Sequence, residues 1–461
     1  MIKAVKKIVR EDNFLSLTGN VTIAFFGIAS FALLARTYPI EVFGEWVLFI
    51  SAASLIEMFR YGIINTAIIR YLAGAEAGER EKYIGSNGLI GIVATVFIFI
   101  VLYVVYFLFS GPINAGGYHL FFVWYPLLAV INLPLNTALV IMQADLQFGK
   151  ILLIRSIESI GFFLVVLVNY VFFKMPLLYM VWAYLILDAF TSLLVIMKAW
   201  CGFRYLTNAS RPHLKKLLDF GKYTTVTLIG TNLLRSADTF IISFSPLGTA
   251  AVALYSIPLK LTELQQIPLR SFAATAFPKL SKASMHQKME EFKDIFYTYS
   301  GAMTYLFMAI SLFTFVFADL LILILGGSQY HGTDPVTGFN AATIVRIFSI
   351  YGLLLPIDRM TGIGLDSINK PNINFVKVSY MVVANVIGDI VAIFIFKSLS
   401  LVAVASIFFT TIGIWIGWFY MDKELSLSYR LIFSKGIDFY RTVYGKIQNN
   451  IRHKDSGSNL N

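Results

Sequence analysis

Charge is what this chain has least of. Asp, Glu, Lys and Arg make up 14% of the 461 residues, against 57% hydrophobic, whereas soluble domains sit near a quarter charged. An ordinary soluble fold is thereby excluded. Cysteine is almost absent too. The single Cys201 leaves no internal disulfide, and the five histidines never gather at metal-ligand spacing. Alternating short apolar segments, the mark of an outer-membrane barrel, are also missing. So are large loops on the side facing away from the N-terminus. The longest of them, "GGSQYHGTDPVTGFN" (326–340), offers no room for the external domain on which a membrane enzyme builds its site.

What is present instead is a series of apolar segments of the length that crosses a hydrocarbon core as a helix. Twelve are read, at 14–36, 42–68, 84–110, 119–143, 151–173, 176–200, 220–244, 249–275, 297–325, 341–366, 374–396 and 399–421. Turn chemistry separates them, as in "TYPIE", "SGPINAGGYH" and "FSPLGT". Pro134, Pro258, Pro268 and Pro356 fall inside spans and predict kinks. The basic N-terminal "MIKAVKKIVREDN" precedes a full-length apolar segment with no small-residue cleavage site, so it reads as the flank of a retained first span.

The 37 Lys and Arg residues are unevenly placed. Three (Arg36, Lys174, Lys397) fall on the far side and five (Arg60, Arg235, Lys260, Arg346, Arg359) inside spans. The remaining 29 lie on the N-terminal side, in loops, both tails and the span ends beside them. The positive-inside rule then places both termini in the cytoplasm. The net charge of +11 is therefore mostly topology, and nucleic acid is not an expected partner.

The longest cytoplasmic connection, "CGFRYLTNASRPHLKKLLDFGKY", divides the chain into six spans plus six. Residues 1–203 form an N-terminal lobe, 204–219 a linker, 220–421 a C-terminal lobe and 422–461 a basic tail. The halves show weak similarity: "VFGEW" (42–46) opens the second span and "AVALY" (251–255) the eighth, each closed by a basic residue, Arg70 and Lys279. Parallel-repeat transporters are built this way. In the tail, Tyr440, Val443, Tyr444, Ile447 and Ile451 share one helical face, as in a helix lying on an anionic membrane surface, although a solvated tail fits as well.

Ionisable residues inside spans are costly and are read as functional by default. Glu57/Arg60, Arg235/Asp238 and Lys260/Glu263 stand three residues apart on a shared helix face. Arg346, Asp358 and Arg359 lie in the tenth span, where adjacent Asp358 and Arg359 cannot share a face. The five cations outnumber the four acids Glu57, Asp238, Glu263 and Asp358, which suits an anionic headgroup moving along a polar cavity. The alternative is that each pair neutralises itself and joins helices. Asp188 and Asp389 stand in apolar runs without a basic residue within one turn. Such a carboxyl serves either as a protonated structural group or as the site that couples transport to H⁺ or Na⁺. No other cofactor is expected.

With these features in place, "LLARTYPIEVFGEWVLFISAASLIEMFRYGIINTAIIRYLAG" (33–74) resembles the opening signature of the Wzx-type polysaccharide transporters. These belong to the multidrug/oligosaccharidyl-lipid/polysaccharide exporter superfamily. The matching positions are Arg36, Pro39, Glu41, Phe43–Gly44 and Arg70. "LYSIPLKLTELQQIPLRSFAATAFPKLSK" (254–282) resembles the family's eighth helix, with a Tyr-Ser entry and an "FPxLS" exit. The resemblance implies an all-α polytopic membrane protein with two six-helix lobes around a central cavity that opens alternately. It implies a flippase of the bacterial inner membrane carrying a polyprenyl-diphosphate-linked oligosaccharide, with membrane lipids and other surface-polysaccharide assembly proteins as partners. Two further readings stay open: a cation-coupled drug or metabolite exporter of the same superfamily, and a membrane glycan polymerase or ligase.

Overall fold

In the computed structural model, residues 12–73, 75–334 and 337–458 are described. The side chains of Arg70, Arg235, Val443, Ile447 and Ile451, named above, lie outside that description. Each of the twelve apolar segments falls on helical structure. In order these are α1 (Asp12–Thr37), α2 (Ile40–Ala73), α3 (Ala77–Ala115), α4 (His119–Ile131) with α5 (Leu133–Ala144), α6 (Phe148–Val168), α7 (Leu177–Met197), α8 (Arg211–Ser243), α9 (Gly248–Met285), α10 (Met289–Val316) with α11 (Ala318–Gly326), α12 (Ala341–Ser367), α13 (Pro371–Ile390), α14 (Leu399–Leu425), and, for the tail, α15 (Tyr429–Ser458). Among the described residues, eight helices are long and apolar enough to cross a membrane, or nine if the bent α4–α5 pair is one crossing. The chain is a multi-pass membrane protein.

Two segments read as single spans are broken. Pro134 at the start of α5 has no N–H to donate, and α4 and α5 meet at 51° around Asn132. The segment 297–325 stops at Phe317, whose backbone leaves the helical region before α11 resumes. By contrast, α9 and α12 remain continuous through Pro258, Pro268 and Pro356.

The chain forms two compact units. One holds Met1–Ser256 with Leu323–Thr337, the other Ile257–Ile322 with Gly338–Asn461. In the first, connections that the charge pattern puts on one side do meet. Tyr38 Oη, after α1, donates to the Met175 carbonyl (2.9 Å) before α7. At the opposite helix ends, Gly85 of α3 lies against the Tyr205 carbonyl, and the Ser210 N–H donates to Ser86 Oγ (3.3 Å). The end of α11 is fastened within this unit as well. Arg36 Nη2 donates to the Leu323 and Ile324 carbonyls (3.0 and 2.5 Å), placing a cation at the negative end of a helix.

Between lipid-embedded helices there is no hydrophobic drive, so close contact comes from small residues. Gly44 of α2 is such a place: a Cβ there would stand 2.0 Å from the Thr249 carbonyl oxygen. In the second unit α15 crosses α10 at Gly436 and Gly301, where a Cβ on Gly301 would meet the Ile432 carbonyl at 2.1 Å. The tail helix is thus docked on a neighbouring helix through Ile432 and Gly436, while Tyr440 Oη donates to the Ala302 carbonyl (2.9 Å). Lys435 bonds Asp294, whose carboxylate holds the ammonium pKa above its ordinary value. Gly301→Val should force these helices apart at a cost of about 1–3 kcal/mol. The expected readout is a lower melting temperature in detergent and new tryptic cleavage at Lys435 and Arg441. Unchanged protection would show that the crossing is not tight.

Candidate functional site

The most elaborate polar assembly in the first unit surrounds the bend between α4 and α5. Arg60 projects from the middle of α2 and is 1% exposed. Its Nη1 donates to Glu57 Oε1 (2.5 Å) and Asn132 Oδ1 (3.1 Å). Its Nη2 reaches Tyr61 Oη (2.8 Å), Thr95 Oγ1 of α3 (2.7 Å) and the Ala129 carbonyl (2.6 Å). The last is a main-chain oxygen at the break in the helix, so the guanidinium caps the bend as well as pairing with an acid. Glu57 in turn accepts from Tyr125 Oη (2.7 Å), Asn132 Nδ2 (3.3 Å) and Asn136 Nδ2 (3.3 Å). Its side chain keeps 24% exposure. Glu57 is therefore the open member of this pair and Arg60 the enclosed one.

The seventh-span pair is seen in part. Asp238 on α8 is buried and accepts from Tyr255 Oη of α9 (2.6 Å), while the Arg235 side chain lies outside the described residues. Asp188 is buried on α7, within the field of Glu158 and Arg155 on α6. Glu158 accepts from Arg155 (3.2 Å) and from Thr191 Oγ1 (3.3 Å). The field at Asp188 thus includes a cation from the adjacent helix, beyond its own turn.

In the second unit, Lys260 and Glu263 bond at 2.8 Å and remain about a third exposed, at 32% and 33%. Arg346 bonds Asp319 of α11 at 2.5 Å. Asp358 is taken by Lys377 of α13 at 2.7 Å, and the same ammonium donates to the Asp358 carbonyl (2.7 Å) and Thr361 Oγ1 (3.2 Å). Lys377 is buried, and Gly417 of α14 brings its backbone beside Thr361 and the Lys377 stem. Arg359, one residue on, is exposed and has no ion-pair partner among the described residues. Asp389 is fully buried and accepts from Asn385 Nδ2 at 3.1 Å.

The charged set therefore divides between the two units. Glu57, Arg60, Asp188, Arg235 and Asp238 belong to one; Lys260, Glu263, Arg346, Asp358, Arg359 and Asp389 belong to the other. Lys377 and Asp319 were not among the expected residues, because each completes its pair across helices. Arg155 and Glu158 were also missed, although they stand three residues apart on α6, where spacing alone could have found them. Tyr125, Thr95 and Asn132 were missed as well. For Asn132 a signal existed: an amide two residues before Pro134, a residue that can break a helix.

Comparison with known proteins places this architecture. The family model described as polysaccharide biosynthesis protein matches residues 9–284. The chain belongs to this family. Among solved structures, an inward-facing multidrug resistance MATE family transporter of the MOP superfamily superposes with a TM-score of 0.69 at 15% identity, covering 88% of this chain and 94% of that one. The lipid II flippase MurJ in an inward closed conformation gives 0.67 at 14%, covering 95% and 93%. A MOP superfamily transporter from Pyrococcus furiosus, described as having a binding pocket of reverse polarity, gives 0.63 at 15%, covering 91% and 95%. This member of the polysaccharide biosynthesis family thus has the fold of the MOP transporters. No curated protein matches it.

The burial of Arg60 and the exposure of Arg359 predict opposite responses to the same change. Removing one partner of a buried ion pair costs about 3–5 kcal/mol, because the other charge is stranded. Arg60→Ala should lower the melting temperature of the purified protein sharply, and a Glu57→Gln/Arg60→Met double variant should recover part of the loss. Arg359→Ala should melt like the wild type. Equal melting temperatures for Arg60→Ala and Arg359→Ala would refute the distinction.

Proposed function

We propose that the chain is a flippase moving a polyprenyl-diphosphate-linked oligosaccharide from the cytoplasmic to the periplasmic leaflet, by alternating access, for surface polysaccharide assembly. Family and fold together are those of a transporter, not of an enzyme, which leaves the polymerase or ligase reading without support. The observation that carries the choice of cargo is Arg359. It stands on a candidate membrane span, and the acid beside it in sequence is held by Lys377. A guanidinium in that situation offers its fork to a diphosphate, the anion whose geometry it matches best. Lys260, one third exposed beside Glu263, and Arg235 belong to the same proposed path. Arg346 would take part by exchanging Asp319 for the headgroup, with Arg60 holding the scaffold.

The two six-helix lobes, the twelve crossings, the cytoplasmic ends and the inner-membrane location are part of the same proposal. So is ion coupling through Asp188 and Asp389, both buried carboxylates. The cation-coupled drug or metabolite exporter is the second reading, favoured by the likeness to a MATE transporter. The exposed Arg359, without an ion-pair partner among the described residues, weighs against it, since a cationic cargo is served by acids.

In a strain whose surface glycan depends on this chain, Arg359→Ala should reach the membrane in normal amount yet cut glycan export at least tenfold. Lipid-linked oligosaccharide should accumulate behind it, and Arg359→Lys should restore export in part. Wild-type export by Arg359→Ala sinks the diphosphate role. Resistance to cationic dyes on expression, with export untouched, would favour the second reading.

A further inference from the structure

Three connections on the side that the charge pattern assigns to the cytoplasm converge in the first unit. They are the start of α3, the turn between α5 and α6, and the stretch after α7. Together they enclose a pocket of about 340 Å³, within the range of small-molecule sites. None of its residues belongs to the charged set considered above.

Three cations and two acids line it. Arg80 bonds Asp145, and Glu81 accepts from Asn208 Nδ2 (2.9 Å), so both acids are engaged. The other two cations have no carboxylate partner among the described residues. The Lys150 ammonium sits over the Trp200 indole, 4.8 Å from the ring centroid. The Arg204 guanidinium lies over the Tyr205 ring and donates to its hydroxyl (2.5 Å). Each ring carries its cation on one face, a weak attraction of about 0.5–1 kcal/mol at exposed sites. That is a mild restraint which a phosphate can outbid while the aromatic support remains in place.

The surroundings are those of a lipid site. Leu146, in the turn that follows Asp145, is 61% exposed, and Met197, at the end of α7, is 76% exposed. Leu146 adjoins the lining residues Asp145 and Gln147 in sequence, and Met197 stands two residues before Ala199. A soluble phosphate gains nothing from exposed apolar side chains. An acyl chain does, at about 0.8 kcal/mol for each buried methylene. A pocket of this size takes a phosphate with its glycerol and leaves the chains outside along the helices.

We propose that this pocket holds the headgroup of an anionic glycerophospholipid, with Lys150 and Arg204 on the phosphate and Trp200 beside the glycerol. The site is separate from the path proposed for the cargo, and its test reads binding, not export. Full-length protein in detergent is examined by native mass spectrometry with phosphatidylglycerol, phosphatidylcholine and soluble glycerol 3-phosphate. The wild type should retain phosphatidylglycerol, and Lys150→Ala/Arg204→Ala should retain at least tenfold less, with weak phosphatidylcholine binding alike in both. Wild-type retention by the double variant overturns the proposal, as does displacement of the lipid by equimolar glycerol 3-phosphate. A measurement on unmodified protein guards against misfolding of the variant. Phosphatidylglycerol should slow amide hydrogen exchange in 145–150 and 198–205, and unchanged exchange there overturns it equally.

Discussion

A charge taken into a low-dielectric interior has to be met by acceptors, and the first unit is organised around supplying them to both terminal nitrogens of Arg60, while its buried Nε has none. Its acceptors come from α2, α3, α4 and the bend that follows α4. Helices that meet only through apolar contacts can slide against one another. Helices that share one guanidinium have a fixed register, because displacing any of them leaves a buried donor without an acceptor, a cost of about 1–3 kcal/mol and more for a charged group. The bend at Asn132 is held by the same device. Pro134 removes the donor that would meet the Val130 carbonyl, and Arg60 donates from outside the ladder to the carbonyl beside it, that of Ala129.

The same reasoning separates the intramembrane charges by what surrounds them. Lys377 repeats the Arg60 solution in the second unit, with a carboxylate, a carbonyl and a hydroxyl around one buried ammonium. Groups held in this way are committed to the scaffold. Lys260 and Glu263 are paired but still touch solvent space, and Arg359 is exposed. The cargo contacts proposed above are among these, because an anion can reach them without first dismantling a buried network. Spacing along the sequence draws that line only in part: it sets Glu57 on one face with Arg60 and keeps Asp358 off the face of Arg359, but it does not show that Arg60 is enclosed and Arg359 exposed.

What could be read from the sequence was whatever is local. Apolar length gave the helices, and spacing of three residues gave Glu57/Arg60 and Lys260/Glu263, found at 2.5 and 2.8 Å. The helix break at Phe317 carries no proline or glycine signal and was read as continuous. The pairing of Asp358 with Lys377 spans 19 residues and that of Arg346 with Asp319 spans 27. Both depend on which helices are neighbours, and that order is a property of packing, not of periodicity. Gly44 shows the converse. It appeared as one letter of a family pattern, and the structure supplies the reason: the Thr249 carbonyl leaves no space for a Cβ.

Basic residues at the helix ends were read as markers of orientation, and that reading is incomplete for three of them. Arg80, Lys150 and Arg204 come from separate connections, yet they line one pocket. Orientation asks only that such residues lie on one side. It does not require that an indole and a phenol stand under two of them, or that the nearby acids be engaged elsewhere. Those additional features are what separate a binding arrangement from a charge bias. A bias is satisfied by any positions on the correct side. The pocket needs three loops to fold against one another, which ties the way this unit packs to the lipid it would meet.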